Sequence, residues 1–193
     1  VLVVLADRGQ TARDAWLRLG EIAPVHAVIG VESRASGLNA HAPEQDVHLL
    51  RAGALVGLTP VMVMVRDLEL ALGFIRRLPF VQGRSVVLCG RRDAAAACLY
   101  CGALDESVAG VVAEDLPASH RDGAYVLGVL RVLDLPQVIG LMAPRPVGLA
   151  RRGPSCNLKW AARAYGRLGA SGRLVVSTDS LKAALDGVLA ATP

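Results

Sequence analysis

Few residues of this sequence could do chemistry, and one short segment holds several of them together. Residues 114–122 contain Ser119 next to His120, with carboxylates on both sides, which are the residue types of a nucleophile, a general base and an orienting acid. Adjacent residues of an extended loop point in opposite directions, however, and no oxyanion hole is recognisable beside them. We therefore expect this segment to line a cleft as a loop.

Two cysteines form a second candidate. Cys98 and Cys101 have the spacing of a redox motif, but they lie several residues into a predicted helix and not at its start, where a thiolate would be stabilised. None of the four histidines is paired with these cysteines at a spacing typical of zinc. We expect buried thiols, with no bound metal and no cofactor.

The third candidate is a sharp turn between a predicted strand, Ser85–Cys89, and a predicted helix, Asp93–Ala103. Gly90 and Ala94 stand two residues before and two residues after Arg92. Residues this small are needed where a strand and a helix cross closely around an exposed nucleophile held at strained backbone angles. In its shape the segment therefore resembles the nucleophile elbow of α/β-hydrolases.

Asp93 could be the nucleophile if the elbow were shifted by one residue. That shift would place Arg91 where the crossing needs a residue without bulk. We expect instead that Asp93 accepts hydrogen bonds at the start of the helix, where a carboxylate is favoured.

Composition excludes several classes of protein. The 193 residues are 53% hydrophobic with a formal charge of +4, and only two of the 21 basic residues are lysines. The tightest arginine pairs lie far apart in sequence without interleaved aromatic residues, so we do not expect nucleic-acid binding. No apolar stretch approaches the ~20 residues that cross a bilayer, so we do not expect membrane insertion. One globular domain covering residues 1–193 is the natural size.

Short β-branched runs alternate with helix-like segments. The runs predict six strands: Val1–Ala6, Val25–Val31, Ser85–Cys89, Val108–Ala113, Val147–Ala150 and Leu174–Ser177. Pro60 can open a long helix whose apolar stripe runs from Val61 to Ile75, with Arg76 and Arg77 away from that stripe. Helical spacing predicts further helices at Thr11–Leu19, Asp93–Ala103, Asp134–Met142, Asn157–Leu168 and Leu181–Ala190. Strands that are apolar on both faces and alternate with helices predict a doubly wound α/β fold, with a mainly parallel sheet in the order 2-1-3-4-5-6.

Three further segments carry a resemblance to a known family. The first segment, Asp134–Val147, contains an Ala-Pro-Arg-Pro turn between a helix and a strand. The second, Glu106–Asp115, follows the predicted helix after the elbow. The third, Val25–Gly37, holds a strand and an arginine-containing loop with Ala35 in place of a glycine. Together with the elbow, these segments resemble the acetyl xylan esterase and dienelactone-hydrolase-like group of α/β-hydrolases. The resemblance spans Val1 to Val176 and implies strands three to eight of that fold, so that the chain would be the C-terminal part of a longer one.

The positions that this resemblance would make catalytic depart from the family pattern. Arg92 stands at the nucleophile position, and an arginine has no nucleophilic atom. Residues 151–157, where the acid would lie, contain no carboxylate, and residues 178–182, where the base would lie, contain no histidine. We therefore expect no catalytic residues and a degenerate domain that acts as a structural, interaction or ligand-binding module. The alternative is an active carbohydrate or acyl ester hydrolase that uses non-standard residues or an N-terminal partner domain.

Four arginines follow strand ends at the predicted carboxyl edge of the sheet: Arg91, Arg92, Arg151 and Arg152. Beside a helix N-terminus they could gather and bind an anionic or carbohydrate-like ligand. Alternatively, Arg92 forms an ion pair with a nearby carboxylate and fills the vacated cleft. The candidate partners are Asp93, Glu114 and Asp115.

Overall fold

The computed structural model describes residues 1–34, 36–37, 43–150 and 156–192. Within these residues the strands form one six-stranded sheet in the order β2-β1-β3-β4-β5-β6, and every neighbouring pair is parallel. The strands are β1 (Leu2–Leu5), β2 (Val28–Val31), β3 (Val86–Arg91), β4 (Val108–Glu114), β5 (Val147–Ala150) and β6 (Leu174–Ser177). The predicted fold class and strand order are confirmed.

Some predicted strand bounds were wrong by a few residues. The second strand begins at Val28 and not at Val25, because residues 24–26 form the turn that leaves the preceding helix. The third strand continues beyond Cys89 to Arg91, since Arg91 still pairs with Glu114 of β4. The chain therefore turns directly from the last paired residue of β3 into the next helix.

Seven helices lie in the described part of the chain: α1 (Ala12–Ile22), α2 (Pro43–Leu55), α3 (Pro60–Ile75), α4 (Asp93–Leu104), α5 (Leu135–Leu141), α6 (Lys159–Arg167) and α7 (Leu181–Ala191). All of these helices except α2 were predicted from the sequence. Helix α1 begins after Thr11, whose side chain forms a capping box with Asp14. Asp134 and Gln137 form the equivalent box at the start of α5.

The core has two sides because alternate strand residues face opposite surfaces of the sheet. Val3 and Leu5 of β1 pack with α3, α4, α5 and α6 on one side, whereas Leu2 and Val4 pack with α1 and α7 on the other. The apolar stripe of α3 is buried as its spacing predicted, at Val61, Met64, Val65, Leu68, Leu72 and Ile75. Helices therefore cover both faces, and ligand sites are expected beyond the carboxyl ends of the strands. No helix among the described residues is long and apolar enough to cross a membrane.

Candidate functional site at the carboxyl edge of the sheet

The turn between β3 and α4 has the backbone geometry of a strained elbow. Arg92 is the single residue between the last residue of β3 and the first residue of α4, and its backbone angles are φ 50° and ψ −115°. A side chain other than glycine rarely adopts a positive φ, and such conformations cost on the order of 1–3 kcal/mol. The surrounding fold therefore holds Arg92 in a conformation that it would not adopt alone.

Small residues allow the strand and the helix to approach each other closely at this turn. A Cβ atom added to Gly90 would lie 2.5 Å from the carbonyl oxygen of Ala94 and 2.7 Å from the backbone nitrogen of Ala95. Ala94 itself is completely buried. Position 90 thus requires glycine because the first turn of α4 lies directly against it.

Arg92 is held by a carboxylate from the neighbouring strand. Its Nε donates to Oδ2 of Asp7 at 2.7 Å, and Asp7 follows β1, which is next to β3 in the sheet. The three predicted partners, Asp93, Glu114 and Asp115, were therefore wrong. Asp7 is almost completely buried, whereas half of the Arg92 side chain is exposed. Burial raises the pKa of Asp7, and the neighbouring guanidinium of Arg92 offsets that rise only in part.

The two acidic residues at the end of β4 have other partners. Arg91 Nε donates to Oδ2 of Asp115 at 2.6 Å, and Arg18 of α1 forms an ion pair with the buried carboxylate of Glu114. The hydrogen bond that Arg91 donates to Asp115 raises the pKa of Arg91 further above its already high value. Together with the Arg92–Asp7 pair, these contacts place alternating charges across the ends of β1, β3 and β4.

Asp93 is the first residue of α4, and it binds a loop and not its own helix. Its Oδ1 accepts a hydrogen bond from the backbone N–H of Ala124 at 3.0 Å. The carboxylate therefore anchors the loop after β4 beside the elbow. An open groove of about 460 Å³ adjoins this contact, and its lining includes Arg8, Arg51 and the half-exposed Tyr125.

Ser119 and His120 lie close to each other, but they are engaged with different partners. Ser119 Oγ donates to Oδ2 of Asp134 at 2.6 Å, and the backbone N–H of His120 donates to the other oxygen of that carboxylate. His120 is buried: its Nδ1 donates to the carbonyl of Ala124 at 2.7 Å, so its Nε2 accepts from Tyr100 Oη at 2.8 Å. The imidazole thus holds the loop in place and is not oriented as a base for Ser119.

The remaining candidate positions are also structural or lie outside the described residues. Arg151 and Arg152, with most of the segment where the resemblance would place the acid, lie outside the described residues. At the position of the base, Ser180 Oγ accepts from the N–H of Ala183 and caps α7. The sequence of that loop supplies the acid Asp179, whose carboxylate accepts from Thr178, and no imidazole.

All four cysteines lie in the described part of the chain, and none of them forms a disulfide. Burial raises the pKa of Cys101 to about 12 and raises that of Cys98 well above its usual value. Such thiols hold almost no thiolate at neutral pH, which is the form that reacts. Among the described residues, no three His, Cys, Asp or Glu side chains lie close enough together to hold a metal ion.

Asp7 and Asp134 are the important partners that the sequence analysis did not assign. Asp7 follows a strand adjacent to β3, so the predicted strand order could have indicated it as a partner of Arg92. For Asp134 the sequence indicates only one of its two roles. An aspartate before an apolar helix predicts an N-cap, but it does not predict the contact with Ser119.

No family model and no curated protein matches this sequence. Among solved structures, the fold is similar to that of a Bacteroides fragilis protein provisionally assigned as an acetyl xylan esterase, with a TM-score of 0.71 and 13% identity over 91% of this chain. A CE15 glucuronoyl esterase from Teredinibacter turnerae aligns over 90% of this chain with a TM-score of 0.46 and 12% identity. This chain spans 57% of the length of each of those chains. The comparison with the Bacteroides fragilis structure shows that this chain shares its α/β fold.

Proposed function

We propose that this chain is an α/β-hydrolase-like domain without acyl-transfer chemistry, which acts as a structural, interaction or ligand-binding module. The observation that carries the proposal is the ion pair between Arg92 and Asp7. Arg92 occupies the strained position of the elbow, where an α/β-hydrolase presents its nucleophile. A guanidinium cannot attack an acyl carbon, and here it is also bound to a buried carboxylate.

The arrangement of charges supports a filled cleft over an anion site at this edge. Arg91 and Arg92 each donate to a carboxylate at 2.6–2.7 Å, so an incoming anion would have to compete with Asp115 and Asp7. The expectation that Arg91, Arg92, Arg151 and Arg152 gather around an anion therefore remains a hypothesis with less support than the ion-paired alternative. A partner domain or a carbohydrate-like ligand would instead meet the open groove beside Asp93.

A second candidate is an ester hydrolase that uses residues outside the standard positions or in an N-terminal partner domain. The similarity in fold to a protein assigned as an acetyl xylan esterase favours it. In the described loop after β4, however, Ser119 is bound to Asp134 and not to His120. Any such activity would need a nucleophile elsewhere.

Hydrolysis of p-nitrophenyl acetate by the purified chain tests the proposal. The rate of p-nitrophenol release is measured for the folded chain and for the same concentration of urea-unfolded chain, each corrected for its own protein-free buffer. We expect the folded chain to be no faster, since only a folded site can align a nucleophile with a base. Saturable hydrolysis that requires the folded state would refute the proposal and support the ester hydrolase. The variant Ser119→Ala would then report whether that loop supplies the nucleophile.

A further inference from the structure

A basic pocket lies at the opposite end of the sheet from the elbow. It occupies about 410 Å³, and its lining comes from the segments just before four strands and from Ala109 near the start of β4. The lining residues are Gly83, Arg84, Ser85, Glu106, Ser107, Ala109, Arg145, Pro146 and Arg173. These residues enter β3, β4, β5 and β6, so the pocket is at the amino edge of the sheet. It shares no lining residue with the groove beside Asp93.

One arginine of the pocket is fixed in place by the backbone. Arg145 Nη1 donates to the carbonyl oxygens of Asp105 at 2.9 Å and Val108 at 3.0 Å. The side chain is partly buried, and both of these acceptors are neutral. The guanidinium therefore retains its full charge at the wall of the pocket, in an orientation that binding would not have to create.

The acidic residues near the pocket do not balance its arginines. Glu106 is the one carboxylate among the lining residues, against the three guanidinium groups. The nearby carboxylate of Asp105 is already engaged, because it forms an ion pair with Arg76 at 2.8 Å and accepts from Ser107 Oγ at 2.6 Å. The lining thus carries an excess of positive charge. Like charges around one cavity repel each other, and a bound anion would relieve that repulsion.

We propose that this pocket binds a small molecule through a phosphomonoester group. Guanidinium groups bind phosphate through charge-assisted hydrogen bonds, and three of them line this pocket with a single carboxylate beside them. The volume fits a ligand larger than a bare ion, because small-molecule sites commonly measure about 300–1,000 Å³. This site is independent of the elbow, so it stands whether or not the chain hydrolyses esters.

Titration by two-dimensional NMR tests the site with two probes, inorganic phosphate and phenyl phosphate. We expect the backbone amides of Ser107 and Ala109 to shift with either probe, and phenyl phosphate to bind more tightly because its ring occupies the remaining volume of the pocket. Equal dissociation constants for the two probes would contradict a site for a phosphorylated small molecule.

Matched variants separate this site from a general charge effect. Arg84→Gln and Arg173→Gln alter exposed side chains, and each should raise the dissociation constant of phenyl phosphate about tenfold. A change of that size is expected when one charge-assisted hydrogen bond to the ligand is lost. Glu106→Gln should lower it. Arg66→Gln removes the same charge from the exposed surface of α3, outside the pocket, and should leave it unchanged. Equal weakening by Arg66→Gln, or amide shifts confined to other parts of the chain, would overturn the proposal.

Discussion

Gly90→Ala should destabilise the fold strongly, because its added methyl group would meet backbone and not a movable side chain. The new Cβ would lie 2.5 Å from the carbonyl oxygen and 2.6 Å from the carbonyl carbon of Ala94, closer than the 3.0 Å below which real Cβ contacts essentially never occur. The first turn of α4, in which Ala94, Ala95 and Ala96 are completely buried, would have to move away from β3.

Forcing an extra methyl group into a packed region costs about 1–3 kcal/mol, and a clash with rigid backbone belongs at the upper end of that range. We therefore expect a loss of about 3 kcal/mol in the free energy of unfolding. For a chain of this size, each 1 kcal/mol lowers Tm by roughly 2–4 °C, which gives a decrease of about 6–12 °C. Urea unfolding followed by circular dichroism and a thermal scan both measure the effect.

Gly73→Ala is the matched control for this prediction. Gly73 lies inside α3, where an added Cβ would meet nothing within 4 Å. Alanine should therefore stabilise the protein by about 0.5–1 kcal/mol through the helix preference of the backbone. If Gly90→Ala changed stability by less than 0.5 kcal/mol, the close crossing of β3 and α4 would be refuted.

The remaining predictions concern buried polar groups. Burial raises the pKa of Asp7 above its usual 3.8 in the folded state, so the folded state holds that proton more tightly than the unfolded state does. The free energy of unfolding of the wild type should therefore fall, relative to that of Asp7→Asn, as the pH rises from 4 through the raised pKa. A difference between the two free energies that stayed constant from pH 4 to 7 would contradict this. Tyr100→Phe should cost about 1–3 kcal/mol in urea unfolding, since it leaves Nε2 of His120 buried without its donor, and a neutral result would mean that the hydrogen bond does not form. Cys98 and Cys101 should react with a thiol reagent at pH 8 only after unfolding, and rapid modification of the native protein would show that these thiols are not buried.

Much of the fold was predictable because its signals are local. The spacing of apolar residues in α3 and the β-branched runs of the strands predict which residues are buried. The alternation of strands with helices then leaves few possible topologies. Helix α2 was not predicted from the sequence. Among its side chains that the structure describes, Val47 and Leu55 are exposed and none is buried, so these side chains form no apolar face like that of α3.

The site was predictable in its shape but not in its contacts. Gly90 and Ala94 signal a close crossing through their size alone. The partner of Arg92, in contrast, is 85 residues away in sequence, and nearby Glu114 is taken by Arg18 from a different helix. Several carboxylates follow neighbouring strands, so side-chain reach across the sheet decides the pairing, and that depends on the assembled structure.

Intact-mass measurement after incubation with an activated fluorophosphonate tests the central claim most directly. Such a probe bonds covalently to a serine that is activated by a neighbouring base. We expect an unchanged mass for the folded chain, because Arg92 occupies the elbow and the hydroxyls of Ser119 and Ser180 are engaged in structural hydrogen bonds. Stoichiometric labelling of one serine in the folded protein, absent when the chain is unfolded in urea before the probe is added, would contradict the loss of acyl-transfer chemistry.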